Sequence, residues 1–146
     1  MQITGETVTG AVVRVLVANF KNSKVYKEDQ VQKLVRPCFF VKQITLQQEK
    51  QMNRRDRRTY RIRIQALPPS GEASPEVFCR DVGEALLGLF RLLPLSETES
   101  VFGRNMEYEV VNGELIFTVE YSIWVELPPA ESILMNTLDT NETLKA

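Results

Sequence analysis

Apolar and polar residues alternate most cleanly on either side of Asn112-Gly113. Asn-Gly between two alternating runs marks a type I′ hairpin turn, which needs φ > 0 at both central positions. A two-residue turn sets Val111 opposite Glu114 and, counting outward, Val110 opposite Leu115, Tyr108 opposite Phe117 and Met106 opposite Val119. The other face then pairs Glu109 with Ile116, Glu107 with Thr118 and Asn105 with Glu120. Tyr121, Ile123 and Val125 prolong the apolar side, so Asn105 to Leu127 is expected to form the spine of the core. The same count puts Trp124 on the outer face, opposite Val101.

A second hairpin precedes it. Arg36-Pro37 opens a strand from Cys38 to about Gln48, because a residue before proline avoids the helical region. Phe40, Ile44 and Leu46 are in phase there, and Lys42 is out of character. From Arg57 to Leu67, Tyr60, Ile62 and Ile64 alternate with Thr59, Arg61, Arg63 and Gln65, with the polar stretch Glu49 to Asp56 as the connection.

Two segments read as helices. Val8, Val12, Val15 and Leu16 recur at helical spacing within residues 3–20, with Thr4 placed as an N-cap. The β-branched valines and Gly10 oppose that reading, and the length favours it. Lys21 to Lys24 reads as a turn, and Val25-Tyr26 as a short extended piece. Further on, Ser74-Pro75 supplies an N-cap and a first-turn proline. Phe78, Val82, Ala85, Leu86, Leu89 and Leu93 then form one stripe, which Pro94 stops. The expected fold is therefore α+β: an antiparallel sheet of about four strands, built from two hairpins, with two helices packed on one face, in the order α-β-β-α-β-β. Residues 1–127 would make one domain and 128–146 a C-terminal arm, since Pro128-Pro129 cannot simply continue the last strand.

Composition narrows the chemistry. A chain of 146 residues with 43% hydrophobic and 25% charged residues fits a single globular domain. A net charge of −1 argues against a dedicated nucleic-acid binder, though not against a local basic patch. No apolar run is long enough for a membrane span and no signal peptide is visible, so folding in a cytoplasm is expected. There is no histidine, which removes Ser-His and Cys-His pairs and leaves Cys38 and Cys79 as core thiols. No catalytic, metal or cofactor residues are assigned; glycine motifs that cradle phosphate are absent.

Three surface features stand out. Arg54-Arg55-Asp56-Arg57-Arg58 reads as a solvated hairpin loop, an inter-subunit contact or a phosphate-binding patch. Glu107, Glu109, Glu114, Glu120 and Glu126 project outward, and Arg61 and Arg63 on the other hairpin offer opposed charges across the sheet. Trp124 either lies under the C-terminal tail or marks a contact surface.

With these elements in place, the chain resembles the phage tail terminator family of prophages and phage-like particles of Gram-positive bacteria. The resembling residues are Arg36-Pro-Cys-Phe-Phe-Val41, Arg57-Arg-Thr-Tyr60 leading into Ile62 and Ile64, Gly103-Arg-Asn-Met106, Val111-Asn-Gly-Glu-Leu115 and Asn141-Glu-Thr-Leu-Lys145. No one of these is diagnostic; their order over nearly the whole length carries the resemblance. It implies a structural protein and not an enzyme: a ring, typically hexameric, that caps the tail tube, ends its growth and offers a surface for joining the head. Its implied partners are itself, the tail tube protein, and sheath and head-completion proteins, with DNA only passing through the ring and no membrane. Arg54, Arg55, Arg57, Arg58, Ile116, Trp124, Met135 and Leu138 are the expected interface residues. The rival readings are another small tail or baseplate component, a DNA-binding module using the arginine cluster and, least favoured, an enzyme.

Overall fold

A computed structural model describes residues 3–27, 35–52 and 55–126. The chain divides into two compact units, residues 1–47 with 59–122 and residues 48–58 with 123–146. Among the described residues the elements are α1 (Gly5–Asn19), β1 (Lys24–Tyr26), β2 (Cys38–Lys50), β3 (Arg55–Leu67), α2 (Pro75–Leu89), β4 (Leu92–Pro94), β5 (Ser100–Val111) and β6 (Glu114–Glu126).

The strands form one six-stranded sheet in the order β1-β2-β3-β6-β5-β4. The sheet is mixed, because β1 runs parallel to β2 through Lys24↔Cys38, Val25↔Phe39 and Tyr26↔Phe40. This overturns the expected four-stranded antiparallel sheet and the order α-β-β-α-β-β. Two three-residue strands account for the difference, since neither is long enough to display a period of two. Leu93 was assigned to the second helix but belongs to β4, which pairs antiparallel with β5 through Leu92↔Phe102, Leu93↔Val101 and Pro94↔Ser100. The helix ends earlier, with the Phe90 N–H closing on the Leu86 carbonyl at 2.9 Å.

The Asn112-Gly113 turn forms as its sequence requires, with φ of 53° and 75°. From it, Val111↔Glu114, Val110↔Leu115, Glu109↔Ile116, Tyr108↔Phe117 and Glu107↔Thr118 pair as counted. Beyond Glu107 the count fails. Arg104, not Asn105, faces Glu120, so Asn105 and Met106 together oppose Val119. This is a β-bulge, and Asn105 sits in it at φ 49°, a left-handed conformation that Asn tolerates better than most residues. The bulge lies in β5, so β6 keeps its phase: Leu115, Phe117, Val119, Tyr121 and Ile123 are buried and Trp124 is exposed. Before the bulge β5 changes faces. Trp124 therefore falls out of register with Val101.

In the first unit, α2 packs against β5, and α1 against β1 and β4. Thr4 caps α1 reciprocally with Thr7, and Val8, Ala11, Val12 and Leu16 are buried from it at helical spacing. From α2, Cys79, Val82, Gly83 and Leu86 are buried. A Cβ on Gly83 would lie 2.8 Å from the Tyr108 ring, so only glycine lets the helix approach β5 this closely. Cys38, Phe39, Phe40 and Val41 are all buried, because the start of β2 is covered on both faces. Phe39 meets Phe20 after α1, while Cys38 and Phe40 join Leu67 and Tyr26 in a separate cluster. Leu46, expected inward, is exposed.

Tyr121 is buried and its hydroxyl donates to the Phe90 carbonyl at 3.0 Å. Burial pushes that hydroxyl's pKa well above its ordinary value. The unfolded chain releases the proton above about pH 10 and the folded chain does not, so stability present below that pH declines as pH rises through this range. Tyr121→Phe should lose about 1 kcal/mol at neutral pH and show a shallower alkaline decline, both measured by denaturant unfolding from pH 7 to 11.

Candidate functional site

Two groups of side chains, one in each unit, contain the features singled out in the sequence. In the first unit, outward residues of β3, β5 and β6 pair across the sheet. The Arg61 guanidinium lies 3.5 Å from Glu120 and 3.8 Å from Glu107. The Asn105 amide donates to Glu120 at 2.8 Å, which gives the bulge residue a partner on β6. Gln65 donates to Glu114 at 2.6 Å, and the Thr59 and Ser122 hydroxyls share a bond of 3.0 Å. Ile116 is half-buried on this strand. Arg61, Asn105, Met106, Glu107 and Glu120 line a shallow concavity of about 290 Å³. Glu107 and Glu120 flank one guanidinium, which matches the charge opposition expected from sequence. Among the described residues, no group of three or more Cys, Asp or Glu side chains is placed to hold a metal ion.

The second unit carries the arginines. Arg55, Arg57 and Arg58 lie in β3 and not in a loop, since β2 runs to Lys50 and β3 begins at Arg55. Polar cross-strand pairs hold these strand ends together: Arg57 to Glu49 at 2.9 Å, Arg58 to Gln48 at 2.7 Å and Gln48 to Asp56 at 2.7 Å. The backbone N–H of Gln51 donates to the Arg55 carbonyl at 2.7 Å and closes the ladder. A strand polar on both sides carries no hydrophobic period, which is why the sequence suggested a loop. Arg55 stacks its guanidinium 5.2 Å from the centre of the Trp124 ring. The structure thus brings two of the expected interface residues together, in a contact that parity alone did not reveal. Trp124 remains 53% exposed. Arg54, Met135 and Leu138 lie outside the described residues, as does the proposed arm 128–146.

Sequence reasoning missed one apolar pair. Leu92 and Phe102 are register partners on β4 and β5, 46% and 66% exposed. Their alternation with buried Leu93 was legible only once β4 was known to be a strand. Cys38 and Cys79 are both buried and unpaired, and loss of solvation raises both thiols' pKa. They belong to the core.

Glu107, Glu114 and Glu120 of the outer face engage a cation or an amide, the thiols are enclosed, and large apolar side chains stand at the surface. The family model described as "Phage tail terminator protein" matches residues 7–132, and the chain belongs to that family. It is accordingly a component of phage tails. No curated protein matches the sequence. One solved structure aligns with 88% of this chain and 99% of its own at 11% identity, with a TM-score of 0.44. No described helix is long and apolar enough to cross a membrane.

The contact between Arg55 and a half-exposed Trp124 has a spectroscopic consequence. Trp124 is the single tryptophan, so emission from the dispersed subunit should be that of a solvated indole. Arg55→Ala should shift the emission and change stability by no more than about 1 kcal/mol, as read from fluorescence-monitored unfolding.

Proposed function

We propose that this chain forms a ring of identical subunits, a hexamer, on the last ring of the tail tube, where it ends polymerisation and presents a surface to the head. The observation that carries the reading is the family match over residues 7–132. The exposed Trp124 with Arg55 above it, and the exposed pair Leu92 and Phe102, support it as surfaces that gain from being covered. In this reading the tube protein and neighbouring copies are the partners, sheath and head-completion proteins join later, and DNA passes through the ring. Residues 128–146 act as an arm on the same subunit or a neighbour.

The test is electron microscopy of tail tubes assembled with and without the full-length protein. Tubes should stop at uniform ends that carry a ring. Tubes that grow on unchecked, with bare ends at high protein concentration, would reject the proposal. If the arginine segment lies at a contact, Arg54→Glu with Arg55→Glu should abolish capping while the melting temperature stays nearly unchanged. Trp124→Ala should weaken association by about 2 kcal/mol or more and affect subunit folding far less.

A further inference from the structure

β5 spans twelve residues, but β4 pairs only with Ser100 to Phe102, and the Gly103 N–H bonds to the Arg91 carbonyl at 2.8 Å. From Arg104 to Val111, nothing among the described residues pairs with the side of β5 turned away from β6. Turn geometry says which backbone groups are left there. In a two-residue hairpin, Val111↔Glu114 is a hydrogen-bonded pair and pairs alternate from there. Glu109 and Glu107 therefore bond to β6, while Tyr108 and Val110 direct both N–H and C=O to the open side.

The two faces of this edge differ, and the difference specifies what can lie beside it. Tyr108 and Val110 share a face with their buried register partners Phe117 and Leu115, yet both are only half-buried. α2 approaches the Tyr108 ring at Gly83 without closing it off. On the other face Glu107 and Glu109 are exposed, and the Glu107 side chain keeps 74% of its exposure with Arg61 3.8 Å away. Arg104, the one cation of this stretch, stands beyond the bulge opposite Glu120. A strand laid on this edge extends the core with apolar side chains on one face and meets two carboxylates on the other.

We propose that the Arg104–Val111 edge of β5 receives an extended segment of a different tail protein, one in which apolar residues alternate with lysine or arginine. Main-chain hydrogen bonds to Tyr108 and Val110 hold such a segment, and the alternation selects it. Glu107 and Glu109 also oppose pairing of β5 with the β5 of another copy, which would bring carboxylates against carboxylates. Among the described strands of this chain, β3 carries the matching pattern, Arg61 and Arg63 alternating with Ile62 and Ile64, but it is enclosed between β2 and β6. The proposed donor is thus another protein. Under the capping reading, on which this proposal rests, it is the tube protein exposed at the tube end.

Amide hydrogen exchange on the full-length wild-type protein, alone at high concentration and bound to tubes polymerised from the tube protein, tests this. On tubes the Tyr108 and Val110 amides should slow by about 100-fold or more. In the protein alone they should stay fast, while those of Glu107 and Glu109 are already slow. Glu107→Lys with Glu109→Lys should weaken tube binding by about 10-fold or more and leave the melting temperature nearly unchanged. Val110→Pro, which removes an outward N–H, should weaken binding far more than Val110→Ala, which keeps it. Protein bound to tubes with the Tyr108 and Val110 amides exchanging as in the free subunit would overturn the proposal and leave the capping reading standing. Slowing of the same amides in the concentrated protein without tubes would overturn it in favour of a second copy. A wild-type protein that does not bind tubes would reject the capping reading and this proposal with it.

Discussion

The Asn112-Gly113 turn fixes the hairpin, and the bulge at Asn105 decides what that hairpin can do. The turn locks Tyr108 opposite Phe117 and Val110 opposite Leu115. Uninterrupted, that register would turn Phe102 inward and Gly103 outward. One extra residue reverses them. Gly103 then faces the interior, where a Cβ would collide with the Phe90 carbonyl, the same oxygen that Tyr121 binds. Phe102 turns out beside Leu92. The end of α2, the position of β4 and the exposed aromatic thus all follow from one left-handed asparagine, which the Glu120 carboxylate holds from across the ladder.

Inside the first unit, close approach is bought with small residues where elements cross. Gly83 admits the Tyr108 ring and Gly103 admits the Phe90 backbone. Neither glycine sits at a positive φ. Their role is space, and an alanine at either would force side chains or backbone to move, which in packed interiors costs roughly 1–3 kcal/mol. Burial on both faces at Cys38 to Val41 reflects the same economy: the parallel strand β1 covers the edge of β2, and Tyr26 stacks on Phe40 at 5.4 Å. A continuous apolar run in a strand is the expected signature of that arrangement.

Much of this was legible from sequence where a local rule had only one outcome. Asn-Gly specified the turn, alternation from Tyr60 to Ile64 gave the inward face of β3, and Ser74-Pro75 marked the start of α2. The misses share a cause, which is that tertiary pairing created what no local pattern encodes. Val25-Tyr26 was read correctly as a short extended piece, but its parallel pairing with β2 was not. Leu93 fits a helical stripe and a buried strand position equally well, and pairing with Val101 chose the strand. Arg55 to Arg58 lack an apolar phase, yet cross-strand hydrogen bonds keep them extended. The Arg55–Trp124 contact needed three-dimensional proximity that charge and parity could not supply.

The pairing of outer-face charges bears on how such a surface binds. Arg61, Glu107 and Glu120 are partly or largely solvated, so their mutual attraction contributes at most about 1 kcal/mol per pair to folding. Their larger effect is on what a partner meets. Charges already matched within the subunit offer little net attraction to a newcomer and resist being desolvated, so they favour the rim of a contact over its centre. The energetic centre must then come from apolar side chains that lose water on association. Leu46, Leu92, Phe102, Val111 and Trp124 are the large exposed apolar side chains on the described strands of this sheet, and two of them are aromatic, the class that most often dominates interfaces.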